Sequence, residues 1–136
     1  MNPSSSRIVL IDDDPDMHHA VRLMLEPMGY QVDCFLTGAS GLEAIRREPP
    51  GLILLDIMLA SPTEGIELAA TLRRDPQLAP IPIVMISSVD PDVARDLARQ
   101  GGVDDLPADR FLEKPLTPAT LLSAVRDVLQ PQGEPG

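Results

Sequence analysis

Cysteine occurs once in the 136 residues, as Cys34, so a disulfide framework is excluded and the fold must be held by its own core. The thiol lies in an apolar stretch, where cysteine serves as a small hydrophobe. Apolar runs are also short. Segments such as residues 51–55 are far below the length that spans a bilayer. The opening MNPSSSR carries one charge and is not followed by a hydrophobic stretch long enough for a signal peptide. Positive charge is scarce as well: 11 Lys and Arg stand against 21 Asp and Glu, a formal net charge of -10, and the arginines are scattered with no Lys/Arg run. A surface that binds nucleic acid gathers cations to neutralise phosphates, so direct nucleic-acid contact is not expected. The expected location is the cytoplasm, with no membrane partner.

What is present suffices for one domain, since 43% of the chain is hydrophobic, enough to fill an ordinary core without a structural metal. Short Val, Ile and Leu runs alternate with helical periodicity in five rounds. Strands are expected at residues 7–11, 31–35, 52–55, 83–86 and 110–112, each apolar enough to be buried on both faces. Helices are expected at 15–28, 39–47, 65–74, 91–99 and 118–129. Asp14-Pro15, Asp90-Pro91 and Thr117-Pro118 each set a capping side chain before a proline at the first helical position. Gly29 and Gly101 stand where two helices should stop, and Pro27 should distort the end of the first. Residues 1–6 and 131–136 are rich in Ser, Pro and Gly and are expected to be loose ends around a domain at 7–130. This pattern predicts a doubly wound α/β domain, a three-layer sandwich on a five-stranded parallel sheet of order 2-1-3-4-5.

In such a sheet, ligands bind beyond the carboxyl ends of the strands, near the switch point between strands 1 and 3. The residues just past the apolar runs are polar: Asp12, Asp13 and Asp14 after the first, Asp56 after the third, Ser87 and Ser88 after the fourth, Lys114 and Pro115 after the fifth. Neighbouring strands lie about 4.8 Å apart, so Asp12, Asp13 and Asp56 can share a pocket and the Lys114 stem can reach back to it. Crowded carboxylates raise one another's proton affinity unless a cation neutralises them, and so a bound metal is predicted. Mg2+ suits a shallow all-oxygen set. His18 and His19 are adjacent, not spaced as a helical zinc pair, and are expected to be exposed without a role.

With these residues in place, the chain resembles a response-regulator receiver domain of the CheY-like, flavodoxin-like type from about residue 7 to 129. The resemblance rests on IVLIDDDPD at 8–16, LILLDIML at 52–59, IVMISS at 83–88 and FLEKPL at 111–116, each at a strand end and in order. It implies that Asp56 is the phosphoacceptor for a histidine kinase or phosphotransfer protein. It also implies that Asp13, Asp56 and the Met58 backbone carbonyl are direct Mg2+ ligands, with Asp12 acting through water. Lys114 would pair with Asp56 and then with a phosphoryl oxygen, next to a cis Lys114–Pro115 bond. Ser87 would hydrogen-bond the phosphoryl group while Phe111, one of three aromatic residues, turns inward. The signalling face would be helix 4, strand 5 and helix 5, on a monomer or a phosphorylation-dependent dimer. Such a domain catalyses only its own phosphorylation and slow dephosphorylation.

Three departures from the family pattern stand out. Where the family usually has a proline four residues after the acceptor and a glycine eight after, this chain has Ala60 and Glu64, as if one residue were inserted. The loop before strand 5 is about five residues longer than usual. Met58 and Val89, two residues past Asp56 and Ser87, cannot position water at places the resemblance ties to dephosphorylation. Two rival readings remain. A haloacid-dehalogenase-like phosphatase would use Asp12-x-Asp14, and an interaction module with a receiver-like fold would never be phosphorylated.

Overall fold

In the computed structural model, which describes residues 6–100, 102–103 and 106–129, the uninterrupted apolar runs form the three central strands of a parallel sheet. The order along the chain is β1 (Arg7–Ile11), α1 (Pro15–Leu25), a 3-10 turn (Glu26–Met28), β2 (Gln31–Phe35), α2 (Gly38–Arg47), β3 (Leu52–Asp56), α3 (Glu64–Arg74), β4 (Ile83–Ser87), α4 (Pro91–Gln100), β5 (Arg110–Glu113) and α5 (Pro118–Leu129). The strands lie in the order β2-β1-β3-β4-β5, as the pattern predicts. Loose ends were expected at 1–6 and 131–136; of these, only residue 6 is described, and it leads directly into β1.

Every residue of β1, β3 and β4 is buried, and successive side chains divide between two cores. Val9, Ile11, Ile53, Leu55 and Met85 face α2, α3 and α4. Ile8, Leu10, Leu52, Leu54, Val84 and Ile86 face α1 and α5, where Val21, Leu25, Leu121 and Val125 meet them. Each such side chain contributes about 1.5–3 kcal/mol by leaving water, so the two-sided sheet is the main source of stability.

The helix starts follow the local chemistry. Asp14 accepts from the Asp16 N–H, Asp90 from the Val93 N–H and Thr117 from the Thr120 N–H, each tying down an otherwise unpaired first-turn amide. Pro27 ends α1 early: the α-helix stops at Leu25, a 3-10 turn follows, and Gly29 takes a left-handed φ of 98°. α4 ends at Gln100, immediately before Gly101, the expected stop, which lies outside the described residues, and Gly102 takes a left-handed φ of 85°. Among the described residues, no helix is long and apolar enough to cross a membrane.

Gly65 fixes how α3 meets the sheet. A Cβ there would stand 2.0 Å from the Asp56 carbonyl oxygen and 2.6 Å from that of Ile57, while its own N–H donates to Ile57 O at 2.8 Å. The close approach thus falls nine residues after Asp56, one later than the family spacing, as a one-residue insertion requires. Because the opposing atoms are backbone, Gly65→Ala should lower unfolding free energy by roughly 2–4 kcal/mol. Urea denaturation gives the value, and an unchanged midpoint would mean that the loop yields without cost.

Candidate functional site

Strand register delivers the acids to one place. Ile11 pairs with Leu55 across β1 and β3, so the next residues, Asp12 and Asp56, emerge side by side. Asp56 pairs with Ile86 and Ser87 with Glu113, which brings Ser87 and then Lys114 to the same edge. Candidate ligand atoms of Asp12, Asp13 and Asp56 all lie within 4.8 Å of one another. Asp12 and Asp56 are buried and Asp13 is exposed, so the pocket has two acids in its floor and one at its mouth.

Each buried acid is held from several directions. The Asp12 N–H donates to Phe35 O, and Asp12 Oδ1 accepts from the Asp14 N–H at 2.9 Å. Asp56 Oδ1 accepts from the Met58 N–H at 3.1 Å. Lys114 Nζ reaches both acids, 3.2 Å from Asp12 Oδ2 and 3.3 Å from Asp56 Oδ2. Its backbone N–H donates to Ser87 O, and the Lys114–Pro115 bond is cis. The contact with Asp12 Oδ2 is ionic but not aligned as a hydrogen bond, and this oxygen is the buried side-chain atom left without a hydrogen-bond partner among the described residues.

One ammonium facing two buried carboxylates leaves a charge deficit. Burial, followed by the neighbouring Asp12 charge, pushes the Asp56 carboxyl up from 3.8 to about 6, against the opposing pull of Lys114 and the Met58 N–H. For Lys114, burial favours the neutral amine, but Asp56 and Asp12 overcome it and hold the pKa above the ordinary lysine value. A hard divalent cation fits this set: the donors are all oxygen, one buried oxygen lacks a hydrogen-bond partner, and the carboxylate charge exceeds what Lys114 neutralises. Asp12, Asp13 and Asp56 could hold it.

The remaining predicted residues are placed as follows. Ser87 is fully buried at the end of β4, and its Oγ accepts from the Val89 N–H at 3.1 Å, which starts the turn after the strand. Met58 is half-buried beside the first core. Phe111 is half-buried in β5 against the same core and lines a cleft of about 320 Å³ with Arg95, Leu106, Ala108, Asp109 and Arg110. His18 departs from expectation. It is half-buried, and its Nε2 lies 2.7 Å from the Asp12 carbonyl oxygen. Glu64, at the place where the family spacing puts glycine, folds back so that its Oε1 accepts from the Ala60 N–H at 2.8 Å. Neither contact leaves a periodic trace in the sequence.

Comparison with known proteins gives a match to the model of the response regulator receiver domain over residues 8–126. The chain is 28% identical over 124 residues to Protein PilH of Pseudomonas aeruginosa, covering 91% of this chain and 98% of that protein. It is 32% identical to the DNA-binding response regulator MtrA of Mycolicibacterium smegmatis, over 93% of this chain and 51% of that one. The chain therefore spans about half the length of several regulators it matches. Among solved structures, the BeF3-activated N-terminal receiver domain of Klebsiella pneumoniae RstA superposes with a TM-score of 0.72 at 33% identity, covering 91% of this chain and 98% of that one. A CheY-like receiver domain protein of Methanospirillum hungatei gives 0.75 at 27%, covering 91% and 93%.

The charge deficit predicts a stability effect in metal-free buffer. With a folded-state pKa of about 6 against 3.8 unfolded, the proton on Asp56 binds the folded state more tightly. The stability it contributes is complete below about pH 4 and is lost as pH rises through about 6. Asp56→Asn should therefore be more stable than the parent at pH 7.5 by about 1–3 kcal/mol, with the gain vanishing towards pH 4. Denaturant unfolding at the two pH values checks this, and an equal gain at both would assign the effect to something other than ionisation.

Proposed function

Because the chain belongs to the response regulator receiver domain family, we propose that it accepts a phosphoryl group on Asp56 from a phosphohistidine donor and signals by the resulting change in its surface. The observation that carries this reading is the convergence of Asp12, Asp13 and Asp56 at one sheet edge with Lys114 Nζ 3.3 Å from Asp56 Oδ2. In the transfer step an Asp56 carboxylate oxygen bonds to phosphorus as the P–N bond to the donor imidazole breaks, its electron pair staying on the imidazole. Lys114 follows the charge from the Asp56 carboxylate to a phosphoryl oxygen. Asp13, Asp56 and the Met58 carbonyl, with Asp12 through water, would hold a Mg2+ ion, which would supply further positive charge for the transferring group. The buried Ser87 hydroxyl donates to a phosphoryl oxygen, and Phe111 repacks in the adjoining cleft, biasing the α4-β5-α5 face towards its signalling form.

The donor is a histidine kinase or phosphotransfer protein, and the setting is the cytoplasm. Several relatives are named as DNA-binding regulators. The acidic balance of this chain supports a protein-directed role for the receiver itself. Incubation with Mg2+ and acetyl phosphate should add one phosphoryl group, mapped by mass spectrometry to Asp56 and abolished in Asp56→Asn. Mapping to Asp12 would instead favour the dehalogenase-type phosphatase. No addition from either a small donor or a histidine-kinase donor would leave an interaction module.

Met58 and Val89 flank the acceptor with half-buried side chains that offer no group to orient a water. Phospho-Asp56 should therefore persist severalfold longer in the parent than in a Met58→Asn, Val89→Glu double variant. Decay followed by intact-protein mass checks this, and faster loss from the parent would refute it.

A further inference from the structure

His18 stands in α1, and its Nε2 lies 2.7 Å from the backbone carbonyl oxygen of Asp12. A carbonyl only accepts, so Nε2 carries the hydrogen and donates. That carbonyl belongs to the peptide unit joining Asp12 to Asp13. Because a peptide unit is planar, fixing the direction of its oxygen also fixes the direction in which the chain enters Asp13. The flanking residues are anchored separately, Asp12 through Phe35 O and Asp14 through Asp12 Oδ1. Asp13 itself is exposed at the pocket mouth. The His18 bond is thus the contact from α1 that orients the peptide on which the third carboxylate is carried.

We propose that His18 is a positioning residue for the divalent-cation site, holding the Asp12–Asp13 peptide so that the Asp13 carboxylate meets those of Asp12 and Asp56. This rests on the reading of the acid pocket as a Mg2+ site. A tether that only fastened α1 to the sheet would change thermal stability and leave cation affinity alone. A partner that orients a ligand-bearing segment changes affinity, by about tenfold or more when removed.

The test is calorimetric titration of Mg2+ into the full chain and into His18→Leu and His18→Gln, with Tm in EDTA recorded for each. Glutamine keeps an amide donor at the same reach, and leucine keeps only the bulk. His18→Leu should bind Mg2+ about tenfold more weakly, and His18→Gln should stay close to the parent. If His18→Leu does not fold, His18→Asn, whose amide is too short for the carbonyl, takes its place with the same expectation. Parental affinity in the leucine or asparagine variant, or a glutamine variant as weak as either, overturns the assignment. If the parent itself binds no Mg2+, the cation-site reading fails and the inference falls with it; a parent that binds with variants that do not differ overturns the inference alone.

Discussion

Two buried carboxylates share one ammonium at the carboxyl edge of the sheet, and the rest of the structure is arranged around that imbalance. Asp12 and Asp56 cannot separate, because parallel pairing of β1 with β3 places them side by side. Nor can they escape to water, since both are buried. Lys114 neutralises one charge of the two. What is left appears as a raised proton affinity at Asp56 and an oxygen of Asp12 without a hydrogen-bond partner. A fold tolerates such a defect only where the surrounding structure supplies ample stability, and here that comes from three strands buried on both faces.

The opposite edge of the sheet shows what satisfied charge looks like in the same molecule. Arg7, at the start of β1, bonds Asp33 Oδ2 at 2.7 Å and also the Glu48 carbonyl. Arg73, at the end of α3, donates to the carbonyls of Ala79 and Ile81 and to Asp109 Oδ2, which in turn accepts from the Ile83 N–H. Each guanidinium there closes a loop onto the sheet with its acid partner matched. The contrast separates an end built for stability from an end left short of positive charge. Only the second gathers the groups on which the proposed function rests.

Much of this was legible in the sequence because it depends on period and punctuation. Apolar runs of four residues located β1, β3 and β4, capped prolines located the starts of α1, α4 and α5, and the polar residue after each of those runs fell at the shared edge. The acid cluster with Lys114 followed from strand order alone. Other contacts were not legible, for identifiable reasons. The His18 bond depends on the rotation of α1 over the end of β1, which leaves no pattern when two histidines are adjacent. The left-handed turn at Gly102 depends on the closing bonds from Gly102 N–H to Arg99 O and Val103 N–H to Ala98 O, which the residue types alone do not specify. The Ser87 hydroxyl could serve the turn or a ligand, and geometry shows it in the turn.

The two irregular loops bear differently on the site. The extra residue after Asp56 is absorbed locally: Gly65 keeps the close approach to the Asp56 carbonyl, and the Glu64 carboxylate accepts from the Ala60 N–H within the loop. The geometry around Asp56 is therefore insulated from the insertion. The loop before β5 has no such insulation. Val103, Leu106 and Ala108 pack on the core cluster that also receives Phe111, and α4 contributes only Ala94 and Ala98 to the fully buried part of that cluster. A helix whose fully buried contacts are two alanines, with Leu97 only partly buried beside them, has less apolar area to lose when it moves than α3, which buries Ile66, Leu68 and Leu72. Arg110 pairs with Asp127 across β5 and α5, tying the far side of the cleft. Any rearrangement that begins at Ser87 therefore meets least resistance at α4 and the residues around Phe111. The sequence departs from the common spacing at that same place, so the surface around α4 and Phe111 is particular to this chain, while the acid edge beneath it is built from the residues that carry the family resemblance.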